Sequence, residues 1–227
     1  YTTIVSGKVY HTKPSEAKLN EIWDDKTNLD HYYGPWPTVQ TYPGTDKWQN
    51  IQEWTGPDAD FPDVYNSQKI IDFLDQNHDK PFFAAMGFYR PHTPYTAPKR
   101  FFDMYDADTL RVPETIPNDL DDIPAYAYDN FIKSTFAFHN MLAAGDQHLW
   151  RERIKAYMAC VTFADDRIGK ILDALDNSPY ADNKIIVLVG YNSFHHGEKN
   201  LWAKSALWRE AGHVPMIIVG PKNGIIQ

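Results

Sequence analysis

A single cysteine, Cys160, stands among 227 residues. One thiol cannot build an internal disulfide framework or a Cys-based zinc cluster, and Cys160 sits inside a helical pattern, where it reads as packing rather than nucleophile. Long hydrophobic runs are missing too. No segment approaches the roughly 18 apolar residues of a membrane helix, and no basic-then-apolar signal segment opens the chain. Positive charge is in deficit, with 22 Lys and Arg against 30 Asp and Glu and a net charge of −8. That balance argues against a nucleic acid or an anionic membrane as the main partner, although a local basic pocket can still receive an anion. There is no internal repeat and no low-complexity tract.

What is plentiful is aromatic: 15% of residues, with seven Trp, in a chain that is 43% hydrophobic. This composition supports a sizeable core, and it equally fits a cleft that binds a ring. The length suits one large domain or one and a half. The chain opens in a strand-like stretch and stops just after another, so it reads as a single α/β domain over 1–227 excerpted from a longer protein.

The stretch 184–221 organises the rest. A buried-type strand at 185–189 runs into a polar loop, and a second strand-like run follows at 214–219. In open α/β sheets ligands collect where strands end, which places Tyr191, Asn192, His195, His196, Glu198 and Lys204 where chemistry is expected. Any strand also needs a polar exit loop, and that reading stays open here. Residues 1–11 alternate and end in Gly7-Lys8-Val9-Tyr10-His11, so Lys8 and His11 lie at or just beyond a strand end. Residues 12–60 read as a long irregular connection and 62–77 as an amphipathic helix. The apolar run 80–88 suits a central strand and delivers His92 between Pro91 and Pro94, on a stiff extended loop. Residues 96–148 read as a surface excursion whose Asp119, Asp121 and Asp122 form a solvated loop. The clearest helix spans 149–175, with an apolar stripe through Ile154, Tyr157, Met158, Val161, Ile168, Ile171 and Leu175.

Three segments, GKVYH at 7–11, KPFFAAMGFYRPHTPY at 80–95 and ADNKIIVLVGYNSFHHGEKNLWAKSALWREAGHVPMIIVGP at 181–221, together resemble the sulfatase family of the alkaline-phosphatase superfamily. The likeness is greatest to its iduronate-sulfatase-like and choline-sulfatase-like branches. The resemblance implies a mostly parallel, mixed sheet flanked by helices. It implies hydrolysis of a small-molecule or carbohydrate sulfate ester by a formylglycine nucleophile, with a calcium ion on the sulfate, in an exported protein (periplasmic, extracellular or lysosomal). Residue by residue, Lys8 corresponds to the lysine that contacts sulfate, His11 to the histidine on the nucleophile, His92 to the histidine on the leaving-group side, and Lys204 to the lysine on the transferred group. His195 and His196 are weaker candidates for reading the substrate. Of the calcium ligands expected after the strand, Asn192 keeps an oxygen, whereas Tyr191 occupies the usual Asp position. No C/S-x-P-x-R motif occurs in the 227 residues, so the nucleophile and the remaining calcium ligands are expected upstream of Tyr1. Two alternatives accompany this reading: a degenerate, non-catalytic anion-binding relative, and a phosphodiesterase or phosphonate hydrolase. The aromatic-rich segment from Trp23 to Trp54 could line a sugar or aryl pocket.

Overall fold

The computed structural model describes residues 1–27, 29, 32–38, 47–133, 147–204 and 206–221. Strand β1 (Thr2–Gly7) lies between β2 (Asp25–Thr27) and the strand Phe82–Gly87, parallel to both. A second parallel pair joins β3 (Ile51–Trp54) to the strand Tyr95–Pro98. Numbering those strands β4 and β5, the chain continues with β6 (Ile186–Val189), β7 (His195–His196), β8 (Trp202–Ala203) and β9 (Met216–Val219). β6 pairs with β9 and β7 with β8, both antiparallel. The described pairings are thus mostly parallel and mixed, with helices beside them, in an α/β arrangement. The chain divides into two compact units, Tyr1–Tyr105 with Ala156–Asn183, and Asp106–Lys155 with Lys184–Gln227.

In the first unit, successive β1 side chains point to opposite faces, as a pleated strand requires. Ile4 packs with Ile70, Phe73 and Leu74 of α2 (Pro62–Leu74). Val5 packs with Leu19 of α1 (Glu16–Ile22), and with Trp23 and Leu29. Pro62 opens α2 at a first-turn position, where its missing N–H costs nothing. The first half of this helix's buried face is polar, through Asp63, Asn66 and Ser67. Ser6 Oγ meets Asn66 Oδ1 at 3.2 Å. Another cluster joins Phe61, Tyr95, Ala97, Phe101 and Phe102 to Ala156, Ala159, Cys160 and Phe163 of α4 (Gln147–Asp176), with Phe101 and Phe102 carried by the short helix α3 (Lys99–Phe102).

Several expectations need correction. The connection 12–60 contains α1, β2 and β3, although 28, 30–31 and 39–46 lie outside the described residues. Residues 96–102 are not a surface excursion: Thr96, Ala97, Phe101 and Phe102 are buried. The run 80–88 yields β4, an edge strand among the described residues, and β1 takes the centre. On α4 the buried face is Arg153, Ala156, Ala159, Cys160, Phe163, Ala164 and Arg167, whereas Val161 is exposed. Small side chains face the core there, and hydropathy favoured the bulkier ones beside them. β6 is buried-type in composition only, because Val187 and Val189 are exposed, as are Met216 to Val219 of β9. Cys160 is buried, its thiol donates toward Thr96 O at 3.6 Å, and burial pushes its pKa up to about 12, which suits packing and not nucleophilic attack.

Candidate functional site

Two glycines set the geometry of the first unit's site. Gly7 and Gly87 are register partners at the ends of β1 and β4. A Cβ on Gly87 would lie 2.1 Å from the Lys8 backbone, so only glycine lets the two exits close up. Lys8 N–H donates to Gly87 O at 2.8 Å, and its side chain is 6% exposed. The Lys8 Nζ donates to the Tyr33 hydroxyl at 3.2 Å and lies 4.8 Å from that ring's centre. An ammonium this deeply placed attracts an anion strongly, because little water screens it.

His92 shares the same tyrosine, with ring centres 4.9 Å apart, and Trp48 lies at 5.8 Å. Its Nδ1 lies 2.7 Å from Thr93 O; a carbonyl only accepts, so Nδ1 carries a proton and Nε2 points the ring's second function elsewhere. Beneath this loop Arg90, 2% exposed, donates to His92 O at 3.1 Å and to Tyr33 O at 2.6 Å. The guanidinium therefore ties the His92 loop to the Tyr33 segment, and burial draws its pKa down. Asp63, buried at the start of α2, accepts the Tyr89 and Arg90 N–H groups at 2.8 and 3.0 Å. Burial pushes its carboxyl up, opposed by those two N–H groups and by the charges of Arg90 and Lys8. His11 is exposed and lines an open cleft with Tyr33, Trp36 and Trp48. The structure thus brings Lys8, His92 and His11 to one aromatic setting. Sequence reasoning missed Tyr33, Arg90 and Asp63; the available signals were the YYGPW run and an Arg set directly before Pro-His.

The second unit is different. The Lys204 ammonium lies 5.9 Å from the Tyr191 ring centre, and burial lowers its pKa while raising that of the Tyr191 phenol. Asn192 Nδ2 donates toward Ser193 O at 3.4 Å. His195 is 1% exposed, its Nδ1–H donates to Glu198 O at 3.1 Å, and its Nε2 has no hydrogen-bond partner among the described residues. It is not a surface residue. His196 is held to about pKa 3 by burial, then by the Arg153 and His195 charges, so it is neutral at ordinary pH. Around it, Trp150 Nε1 donates to His196 O at 2.7 Å, and Arg153 lies 5.3 Å from the centre of the Trp202 ring. Gly197 has φ +127, and a Cβ there would strike Trp150 at 2.1 Å. This packing gives the two histidines a structural setting. Asp119, from the acidic loop, accepts from Lys199 Nζ at 2.7 Å.

Among the described residues no group of three or more His, Cys, Asp or Glu could hold a metal ion. At 191–192 a neutral phenol and one amide oxygen stand where a hard cation wants carboxylates. These residues do not fit the calcium ion. No described helix is long and apolar enough to cross a membrane.

Parallel strands that deliver a buried lysine and a proline-flanked histidine to neighbouring strand exits belong to an α/β protein. The Sulfatase family model matches residues 1–224, and the chain belongs to that family. A sulfatase of Formosa agariphila is 33% identical over 97% of this chain and 45% of its own length. Human iduronate 2-sulfatase is 25% identical over 97% of this chain and 43% of its own. Among solved structures, the phosphonate monoester hydrolase SpPMH from Silicibacter pomeroyi superposes with a TM-score of 0.67 at 16% identity, covering 97% of this chain and 50% of the other. The chain spans about half the length of the curated relatives it matches.

Proposed function

We propose that this chain supplies the anion-receiving part of a sulfuric ester hydrolase acting on sulfated carbohydrates. The observation that carries the reading is the buried Lys8 ammonium, joined to His92 through Tyr33; both residues stand in segments that resemble the family's sulfate-contacting motifs. Lys8 would neutralise sulfuryl oxygens in a weakly screened site. His92, as imidazolium, would keep Nδ1–H on Thr93 O and offer Nε2–H to the leaving oxygen, protonating it as the S–O bond breaks. Arg90 would hold the two loops in register. Lys204 has the same kind of task by resemblance alone, and its test is separate. The sugar preference is supported by the sugar named in the human relative's description.

The test is a titration of inorganic sulfate against the chain by calorimetry, together with sulfate-ester turnover by the whole protein. Lys8→Met should weaken sulfate at least tenfold, the scale of losing one charge-assisted contact. Sulfate binding that is indifferent to both Lys8 and His92 would sink the proposal. Tyr191 favours a second reading, an anion-binding relative without turnover. Lys8-dependent sulfate binding with no turnover by the whole protein would select it.

A further inference from the structure

An acidic residue in the first turn of a helix ordinarily answers the helix dipole or caps the helix's own open N–H groups. Asp63 stands in the first turn of α2 and does something else. It is 1% exposed, and its two oxygens go to another segment: Oδ1 accepts the Tyr89 N–H at 2.8 Å and Oδ2 the Arg90 N–H at 3.0 Å. These are consecutive amides just past β4. One carboxylate that grips two successive N–H groups fixes both peptide planes around Tyr89, which a single acceptor atom could not do.

The consequence reaches His92. The Tyr89 carbonyl accepts the His92 N–H at 2.8 Å, and the Arg90 guanidinium donates to the His92 carbonyl at 3.1 Å. His92 is thus held at its N–H by one of the residues that Asp63 grips, and at its carbonyl by the other. Its imidazole points Nδ1–H at Thr93 O, 2.7 Å away, which leaves Nε2 for chemistry. One turn further along α2, Asn66 Oδ1 meets Ser6 Oγ at 3.2 Å, and a Cβ on Gly7 would come within 3.0 Å of Asn66 Nδ2. The polar start of the helix therefore touches both strand exits, β1 through Asn66 and β4 through Asp63. Packing alone would be met by apolar side chains, as it is in the second half of α2 by Ile70, Phe73 and Leu74. A buried carboxylate costs free energy that a hydrophobic residue of similar volume does not, so direction is what it adds.

Resting on the reading of His92 as the acid that meets the leaving oxygen, we propose that Asp63 is its positioning residue: through the Tyr89 and Arg90 amides, the carboxylate holds the His92 ring with Nδ1–H on Thr93 O and Nε2 toward the reacting atoms. Asp63 acts through that loop and exchanges no proton with the ester.

The test is NMR on the chain carrying nitrogen-labelled histidine, at a pH where imidazoles are neutral, because the ring nitrogens then report which of them holds the proton. The helix supplies its own reference. At its far end, about 15 Å along the axis from Asp63, His78 Nε2–H donates to Phe73 O at 2.8 Å, so the wild type should show opposite tautomers at His78 and His92. Asp63→Asn keeps the volume but turns an NH2 group toward one of the two amides. In this variant the Tyr89 and Arg90 amides should exchange with deuterium about tenfold faster, and His92 should become a mixture of tautomers while His78 stays as it was. Asp63→Glu, which restores both oxygens, should recover most of the His92 Nδ1–H signal. In the wild type, with no substitution, the Tyr89, Arg90 and His92 amides should exchange as one group. A His92 tautomer indifferent to Asp63→Asn, loss of the His78 tautomer together with that of His92, or wild-type exchange of His92 uncoupled from Tyr89 and Arg90 would overturn the proposal. Failure of the sulfatase reading looks different: inorganic sulfate then leaves the wild-type His92 signals where they are, while their dependence on Asp63 persists, which supports Asp63 as the residue that positions His92.

Discussion

The two units treat buried cations in contrasting ways. In the first, Arg90 has the Asp63 carboxylate close by and spends its N–H groups on the carbonyls of His92 and Tyr33, while Lys8 donates to the Tyr33 hydroxyl. In the second, Arg153 lies over the Trp202 ring, Lys204 lies over the Tyr191 ring, and His196 is kept neutral. A carboxylate or carbonyl fixes direction as well as charge, whereas an aromatic face supplies attraction without a defined acceptor atom. In the first unit those contacts tie the His92 loop to the Tyr33 segment. The second sets a phenol, that of Tyr191, beside the Lys204 ammonium.

The contrast can be broken most severely at Asp63. Asp63→Ala would strip the acceptor from two backbone N–H groups and remove the counter-charge near a buried guanidinium, a loss of about 3–5 kcal/mol. Urea unfolding should show it as a large drop in midpoint at unchanged slope. Asp63→Asn, which keeps one carbonyl acceptor, should lose less. Equal stability of wild type and Asp63→Ala would mean that the first unit does not depend on this anchor.

The next effect is acid sensitivity of the second unit. His196 has a folded pKa of about 3 against an ordinary 6.5. Between those values the unfolded chain binds the extra proton, so the stabilisation is complete above about pH 6.5 and is lost as pH falls toward 3. From pH 6.5 to 4.5 this amounts to about 2–3 kcal/mol. His196→Phe should flatten that slope when unfolding is measured across the interval. A slope that survives the substitution assigns the acid sensitivity to other groups.

These contrasts were only partly visible in the sequence. The placement of Lys8 at a strand exit and of His92 on a proline-flanked loop could be read because each lies on its own segment, and α2 could be read from its period. Tyr33 and Asp63 could not, since their roles arise through hydrogen bonds to segments 25 and 26 residues away in the chain. The buried face of α4 was missed because Ala156, Ala159 and Cys160 carry little hydropathic signal beside Ile154 and Val161. β6 was misread for the opposite reason: its composition suits a strand covered on both sides, and composition cannot show whether anything covers it.

The mildest test returns the carboxylate to the second unit. Tyr191→Asp would replace a ring face by a negative group near Lys204, whose pKa is lowered by burial, so the ammonium should titrate at higher pH in the variant. Isotope-labelled lysine followed by NMR reads this directly. Stability should change by no more than about 1 kcal/mol, because the pair is half exposed and screened by water. Metal affinity, followed by terbium luminescence, should stay unchanged: the new carboxylate together with Asn192 would offer few of the six to eight oxygens calcium takes. Tight terbium binding by the variant would give the opposite lesson, that Tyr191 alone separates this unit from a metal site and that the two units differ by one side chain rather than by design.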